Sequence, residues 1–179
     1  MSLIPVNIII GEITVRDIIY EELPQIHRLL NESDETKALL GKKESFQFEE
    51  IKERYLESLS SVSDFFLGVY LKEEIIGILK GRFENRSCTE VWFLTYVLSE
   101  RYRKRGFGSK ILSGVEEWFG EYYSIYRFCV LAYEDNSNAM EFWNKNNYKL
   151  LRRTNIKHPS KTGAVVILEK TEDKNGLKH

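Results

Sequence analysis

The chain has 179 residues, 42% of them hydrophobic and 13% aromatic, enough apolar material to build a core and to exclude disorder or a fibrous repeat. Its 26 Lys and Arg stand against 27 Asp and Glu, so a net charge of −1 excludes any global attraction to nucleic acid or anionic membrane. This predicts one domain over 1–179, with a core spanning about residues 13–170 and loosely ordered termini.

Residues 3–10 are apolar but lack a basic flank and fall short of the ~20 residues that cross a bilayer. They are expected to be an ordered or loosely attached lead-in, with no export signal, on a cytoplasmic protein. Ile13, Val15, Arg16 and Ile18 begin a strand. Leu23, Ile26, Leu29 and Leu30 then follow helical spacing, with Pro24 in the first turn. His27 lies on that stripe with no second ligand at i+4, which predicts a packed core histidine. Residues 31–44 are expected to be a polar loop. Ser45 is expected to cap a helix that presents Phe48, Ile51, Tyr55 and Leu59 on one face.

Apolar runs at 65–71 and 75–83 around Lys72-Glu73-Glu74 predict a hairpin, and a turn at 84–87 leads to a strand over 89–98. After Arg103 the period changes. Gly108, Ile111, Leu112, Val115, Trp118 and Phe119 form the stripe of a helix packed on a sheet. A buried strand at 126–133, a short helix over 136–146 with Ala139, Phe142 and Trp143 inward, and strands at 148–153 and 164–170 complete the chain. Cys88 and Cys129 sit singly in apolar runs, the pattern of reduced core thiols. The sum is an α+β fold with a mixed sheet of about seven strands and about four helices.

The chemistry concentrates in Arg103-Lys104-Arg105-Gly106-Phe107-Gly108-Ser109, between a strand end and an amphipathic helix. Glycines there leave backbone N–H groups open to a phosphate, and the helix dipole and three basic side chains add positive charge. A dinucleotide fingerprint would need glycine where Ile111 stands and would open the first βαβ unit. A P-loop would need Gly at Arg103 and Gly-Lys at Gly108-Ser109. A nucleic-acid patch over 101–105 has only Tyr102 as a stacking aromatic, in a neutral protein.

With Tyr96, Val97 and Leu98 before it, this run resembles the acetyl-CoA motif of the GNAT superfamily of N-acyltransferases, Arg/Gln-x-x-Gly-x-Gly/Ala after an apolar strand. Asn136-x-x-Ala139-x-x-Phe142-Trp143-x-Lys145-x-Asn147-Tyr148 is similar to a second family motif. Val15-Arg16-Asp17 with Glu21-Glu22-Leu23-Pro24 is similar to the family's first strand and helix. The resemblance implies a sheet splayed between the strand ending at Leu98 and the strand 126–133, with acetyl-CoA as co-substrate and no metal. It implies pantetheine amides on the backbone near Tyr96, Val97 and Leu98, pyrophosphate on 103–109, and Asn136 and Phe142 beside the pantetheine arm. As a helix cap, Asn136 would serve both roles.

For transfer to an amine, the resemblance implies the Leu98 backbone N–H as oxyanion donor. It also implies Glu90, thirteen residues before Arg103, as general base, with Glu84 the weaker candidate. Trp143 stands where many members carry a tyrosine acid, and indole gives up no proton. Water, Tyr133 or Tyr148 would then protonate the thiolate. Asn147 replaces a glycine, a substitution a left-handed helix end tolerates. The implied acceptor is a small-molecule or peptide amine, walled by residues 31–44, with Glu32, Asp34 and Glu35, and by 155–163. No nucleic-acid or membrane partner is implied, and a homodimer is compatible. The alternative is a degenerate relative that binds CoA or a protein partner without turnover.

Overall fold

The computed structural model describes residues 5–85, 89–154 and 164–172. Among the described residues, eight strands follow one another in the sheet in the order β1-β2-β3-β4-β5-β6-β8-β7. They are β1 (Asn7–Ile10), β2 (Ile13–Asp17), β3 (Asp64–Leu71), β4 (Glu74–Asn85), β5 (Thr89–Leu98), β6 (Arg127–Tyr133), β7 (Lys149–Arg153) and β8 (Val165–Thr171). The helices are α1 (Leu23–Leu30), α2 (Asp34–Leu39), α3 (Phe48–Ser60), α4 (Phe107–Tyr123) and α5 (Ser137–Lys145). Two compact units divide the chain: one runs to Arg82 and adds Thr95–Val115, the other takes Phe83–Leu94 and resumes at Glu116. Each is described in turn.

In the first unit, β1, β2 and β3 pair antiparallel, as do β3 and β4. The lead-in is ordered as β1: Gly11, at a left-handed φ of 65°, turns the chain so that Ile10 faces Ile13. Val6 and Ile8 are then buried. The core of this unit joins Leu23, Ile26, Leu29 and Leu30 of α1 and Ile51 and Tyr55 of α3 to Phe66, Tyr70, Ile75, Ile78 and Val97 of the sheet.

Within it, Glu22 explains the Arg16 and Glu22 pattern of the sequence. Its carboxylate accepts from Arg16 Nη2 at 2.6 Å, from Ile19 N–H at 3.0 Å and from the Tyr70 hydroxyl at 2.7 Å. The Arg16 guanidinium lies 3.9 Å over the Tyr70 ring. Gly68 leaves room for that ring, since a Cβ there would fall 2.5 Å from the Tyr70 hydroxyl oxygen.

Two further expectations change. The loop expected at 31–44 contains α2, capped by Ser33, whose Oγ accepts from Thr36 N–H at 3.1 Å. The next helix starts at Phe48, and Ser45 is not its cap. Asn31 holds both the N–H and the carbonyl of buried Phe46, keeping the chain out of helix at that point. Glu50 then reaches back to the Gln47 N–H at 2.6 Å. His27, half-buried, bonds the Phe46 carbonyl oxygen through Nε2 at 2.9 Å, as a packed histidine should.

In the second unit, β5 and β6 run parallel, with Val91 facing Phe128 and Phe93 facing Val130. β8 inserts between β6 and β7, antiparallel to both. The Phe93 and Phe128 rings stack with centroids 5.9 Å apart, and burial pushes the Cys129 thiol up to about 12. Cys88 and the 155–163 segment lie outside the described residues.

The end of α5 forms a Schellman motif. Tyr148 N–H donates to the Trp143 carbonyl and Asn147 N–H to that of Asn144, both at 3.0 Å, with Asn147 left-handed at φ 69°. The Trp143 and Tyr148 rings meet at 4.8 Å. The substitution of Asn for Gly at 147 is thus absorbed as expected.

Candidate active site

The motif at 103–109 folds as a turn that delivers an open helix start. A 3₁₀ turn at Glu100–Tyr102 follows β5, and the Arg103 N–H donates back to the Glu100 carbonyl at 3.2 Å. Lys104 and Gly106 both take left-handed φ, 56° and 82°, so the backbone curls before entering α4. A glycine suits the second position: L-residues resist that conformation, and no atom stands within 4 Å of the missing Cβ.

The first i−4 bond of α4 runs from Lys110 N–H to the Gly106 carbonyl at 3.1 Å. Helix geometry therefore gives Phe107, Gly108 and Ser109 N–H groups with no i−4 carbonyl, gathered at the positive end of the dipole. Lys104 and Arg105 are exposed beside them. The Arg105 guanidinium lies 5.6 Å from the Phe107 ring and donates to the Arg101 carbonyl at 3.1 Å. Such a curl of N–H groups, flanked by cations, is suited to an anion.

The end of β5 is fastened to this turn. Tyr96 donates its hydroxyl to the Gly108 carbonyl at 2.8 Å, and Val97 and Leu98 are buried. Ser99 N–H donates to the Ile76 carbonyl at 2.8 Å. Thus Tyr96, Val97, Leu98 and the motif from Arg103 to Ser109 come together in one unit. Arg103 is 15% exposed along its side chain. Its Nε donates to the Leu98 carbonyl at 2.7 Å and its Nη2 to Thr36 Oγ1 at 2.6 Å, among the carboxylates of Glu32, Glu35 and Glu100.

Glu90, Asn136 and Phe142 belong to the second unit. Glu90 is 6% exposed; Oε1 accepts from Trp92 Nε1 at 2.8 Å, and Oε2 lies 3.3 Å from Arg127 Nη1. Arg127 in turn reaches Glu169 at 3.0 Å. The Asn136 side chain caps α5 by accepting from Ala139 N–H at 3.1 Å, and the half-buried Phe142 packs edge-on against Trp143.

Tyr148, a candidate acid in the sequence, sits in a buried polar group with Glu116 and Lys170. Tyr148 donates its hydroxyl to Glu116 at 2.5 Å, and the other Glu116 oxygen pairs with Lys170. Burial, with Glu116 beside it, pushes the Tyr148 hydroxyl far above its ordinary value. Burial likewise raises the Tyr133 hydroxyl, with Asp135 adding to the shift. Glu116, between Val115 and Phe119 of the apolar stripe of α4, could have signalled the group. Among the described residues, no three His, Cys, Asp or Glu are placed to hold a metal, and no helix is long and apolar enough to cross a membrane.

Comparison with known proteins follows the same lines. The acetyltransferase (GNAT) domain family matches residues 15–158. No curated protein matches the chain. The fold is similar to that of an acetyltransferase from Salmonella typhimurium that modifies the N-terminal serine of ribosomal protein L7/L12, at TM-score 0.81 and 16% identity over 94% of this chain and 100% of that one. An acetyltransferase from Thermus thermophilus is similar at TM-score 0.76 and 14% identity, over 91% and 99%. PaiA N-acetyltransferase from Thermoplasma acidophilum, in complex with coenzyme A, is similar at TM-score 0.64 and 21% identity, over 89% and 99%. Matched by that family along most of its length and sharing its fold, the chain belongs to the GNAT acetyltransferases and is an acyltransferase.

Proposed function

We propose that the protein is an N-acetyltransferase that moves the acetyl group of acetyl-CoA to a primary amine by direct attack in a ternary complex. The observation that carries this reading is the curled start of α4, with left-handed Lys104 and Gly106 ahead of three N–H groups at the helix end. The N–H groups of Phe107, Gly108 and Ser109 would hold the pyrophosphate, with Lys104 and Arg105 balancing its charge. The backbone of Tyr96 and Val97 would meet the pantetheine amides.

Acetyl-CoA supplies a thioester: the neutral amine attacks its carbonyl carbon, the nitrogen gives up one proton to water, the C–S bond breaks, and CoA leaves as thiolate. The Leu98 N–H is assigned to the oxyanion that develops during attack. Glu90, engaged by Arg127 and Trp92, suits a structural ion pair better than a base, so the ammonium proton is assigned to water. Tyr148, whose proton is directed at Glu116, suits no acid role. Thiolate is a tolerable leaving group, with an ordinary thiol value of ~8.5, so water suffices for it as well.

Two measurements test the reading. CoA should raise the melting temperature in proportion to RT ln(1 + [L]/Kd), and Gly108→Glu should abolish that rise while leaving the fold intact. A panel of small amines and peptides, scored by release of free CoA thiol, should identify an acceptor. No thermal shift at saturating CoA would sink the proposal.

A further inference from the structure

Arg103 opens the glycine-containing motif, and its position in the sequence assigns its charge to a phosphate. Its side chain is engaged elsewhere in the same unit. Nε donates to the Leu98 carbonyl at 2.7 Å and Nη2 to Thr36 Oγ1 at 2.6 Å. Glu32 and Glu35 each lie 3.6 Å from the guanidinium and Glu100 lies 3.9 Å away.

Nη1 makes no hydrogen bond, but it stands 3.6 Å from Glu35 and 3.9 Å from Glu100, so with Glu32 beside Nη2 three carboxylates already balance the charge, and the planar fork suits several fixed acceptors at once. Each anchor is itself held. The peptide that carries the Leu98 carbonyl also carries the Ser99 N–H, which donates to the Ile76 carbonyl at 2.8 Å. Thr36 is fully buried in α2, and its hydroxyl donates to Glu32 at 3.2 Å. Glu32 in turn accepts from Ser99 Oγ at 2.8 Å and from Glu100 N–H at 2.7 Å. The loop before α4, the end of β5 and the six-residue helix α2 therefore share one guanidinium.

We propose that Arg103 is a positioning residue, a bracket that joins α2 and the Leu98 carbonyl to the 103–109 loop, so that an anion held by the loop also orders α2. This rests on the reading of that loop as a CoA site. Arg103 then contributes to the reaction through the segment carrying Leu98, and the phosphate charge falls to the exposed Lys104 and Arg105.

The test is calorimetric titration of CoA at low and high salt, with amide hydrogen exchange of residues 33–42 in the presence and absence of CoA. The variants are Arg103→Gln and Arg103→Lys, with Thr36→Val as an alternative that keeps the charge should the first fail to fold. In the wild type, CoA is expected to slow exchange in α2. Arg103→Gln should bind CoA within about threefold of wild type, with the same salt dependence. Its α2 amides should exchange about tenfold faster, and the slowing by CoA should vanish. Arg103→Lys should restore that slowing in part, because an ammonium reaches one anchor and not both.

A loss of CoA affinity of about tenfold or more in Arg103→Gln, with a flattened salt dependence, would make Arg103 a phosphate ligand and overturn the proposal. Unchanged α2 exchange would overturn it as well. If the wild type bound no CoA, the reading of the loop would fall, and α2 exchange in the unliganded variants would alone decide whether the bracket exists.

Discussion

The Cβ that Gly77 lacks would collide with Leu98 Cδ2 and stand 2.7 Å from the Val97 carbonyl oxygen. Only a glycine lets β4 approach the end of β5 so closely, and one of the two obstacles is backbone, which cannot rotate aside. Gly77→Ala is therefore expected to destabilise the protein by about 1–3 kcal/mol. It should also displace the segment that carries Leu98, so acetyl transfer should fall further than the folded fraction does. Urea unfolding and turnover measured on the same preparation check both. Wild-type values in each would show that the strands part freely.

Glu90→Gln separates a structural from a catalytic carboxylate. Glutamine keeps an acceptor for Trp92 but loses the charge facing Arg127, so a destabilisation of about 1–3 kcal/mol is expected. The pH profile of kcat/KM should keep its shape. Wild-type stability together with a missing acid limb of that profile would make Glu90 the base after all.

Burial alone would push the Glu22 carboxyl up, but the hydrogen bonds from Arg16, Ile19 and Tyr70 outweigh it and hold the group below its ordinary 4.5. A carboxyl depressed on folding contributes stability that is present above its ordinary value and lost as pH falls through the folded one. Wild type should therefore weaken as the pH drops below about 4.5. Glu22→Gln, weaker at neutral pH by about 1–3 kcal/mol, should lose less over that interval. Urea midpoints taken on either side of it decide; parallel slopes would contradict the assignment.

Asn147 takes a left-handed conformation that glycine adopts without strain. Asn147→Gly should stabilise the protein by about 0.5–1 kcal/mol, and Asn147→Val should cost about 1–2 kcal/mol. Thermal unfolding of the pair is sufficient. If valine were as stable as asparagine, the Schellman geometry would not be limiting.

The elements legible in advance were those whose evidence is local. Apolar runs between turns marked β3 through β5, the 3.6-residue stripe marked α4, and Asn136 announced the start of α5 as its cap. β1 and α2 were missed for physical reasons. Four residues of strand gave too little alternation to register, and α2 buries only Thr36, so its cap at Ser33 had no apolar stripe to accompany it. In the candidate site, the glycines and the helix start were plain in the sequence. The partners of Arg103 were not, because Thr36 lies 67 residues away in the chain. The same holds for Glu116, whose hydroxyl donor Tyr148 is 32 residues distant.

β8 lies between two strands that both precede it, so β6 and β7 are made first, and each has an edge open to the other. Chain order favours that wrong pairing, and hydrophobicity opposes it. β7 is exposed at every residue, including Leu150 and Leu151, and offers an approaching edge no face to bury. β8 brings Val165, Val166, Ile167 and Leu168, all buried once in place. The competition for the β6 edge is thus decided by the poverty of β7 as much as by the merit of β8. A more apolar β7 would make a better strand and a worse protein, because it could take the place meant for its neighbour before that neighbour arrived.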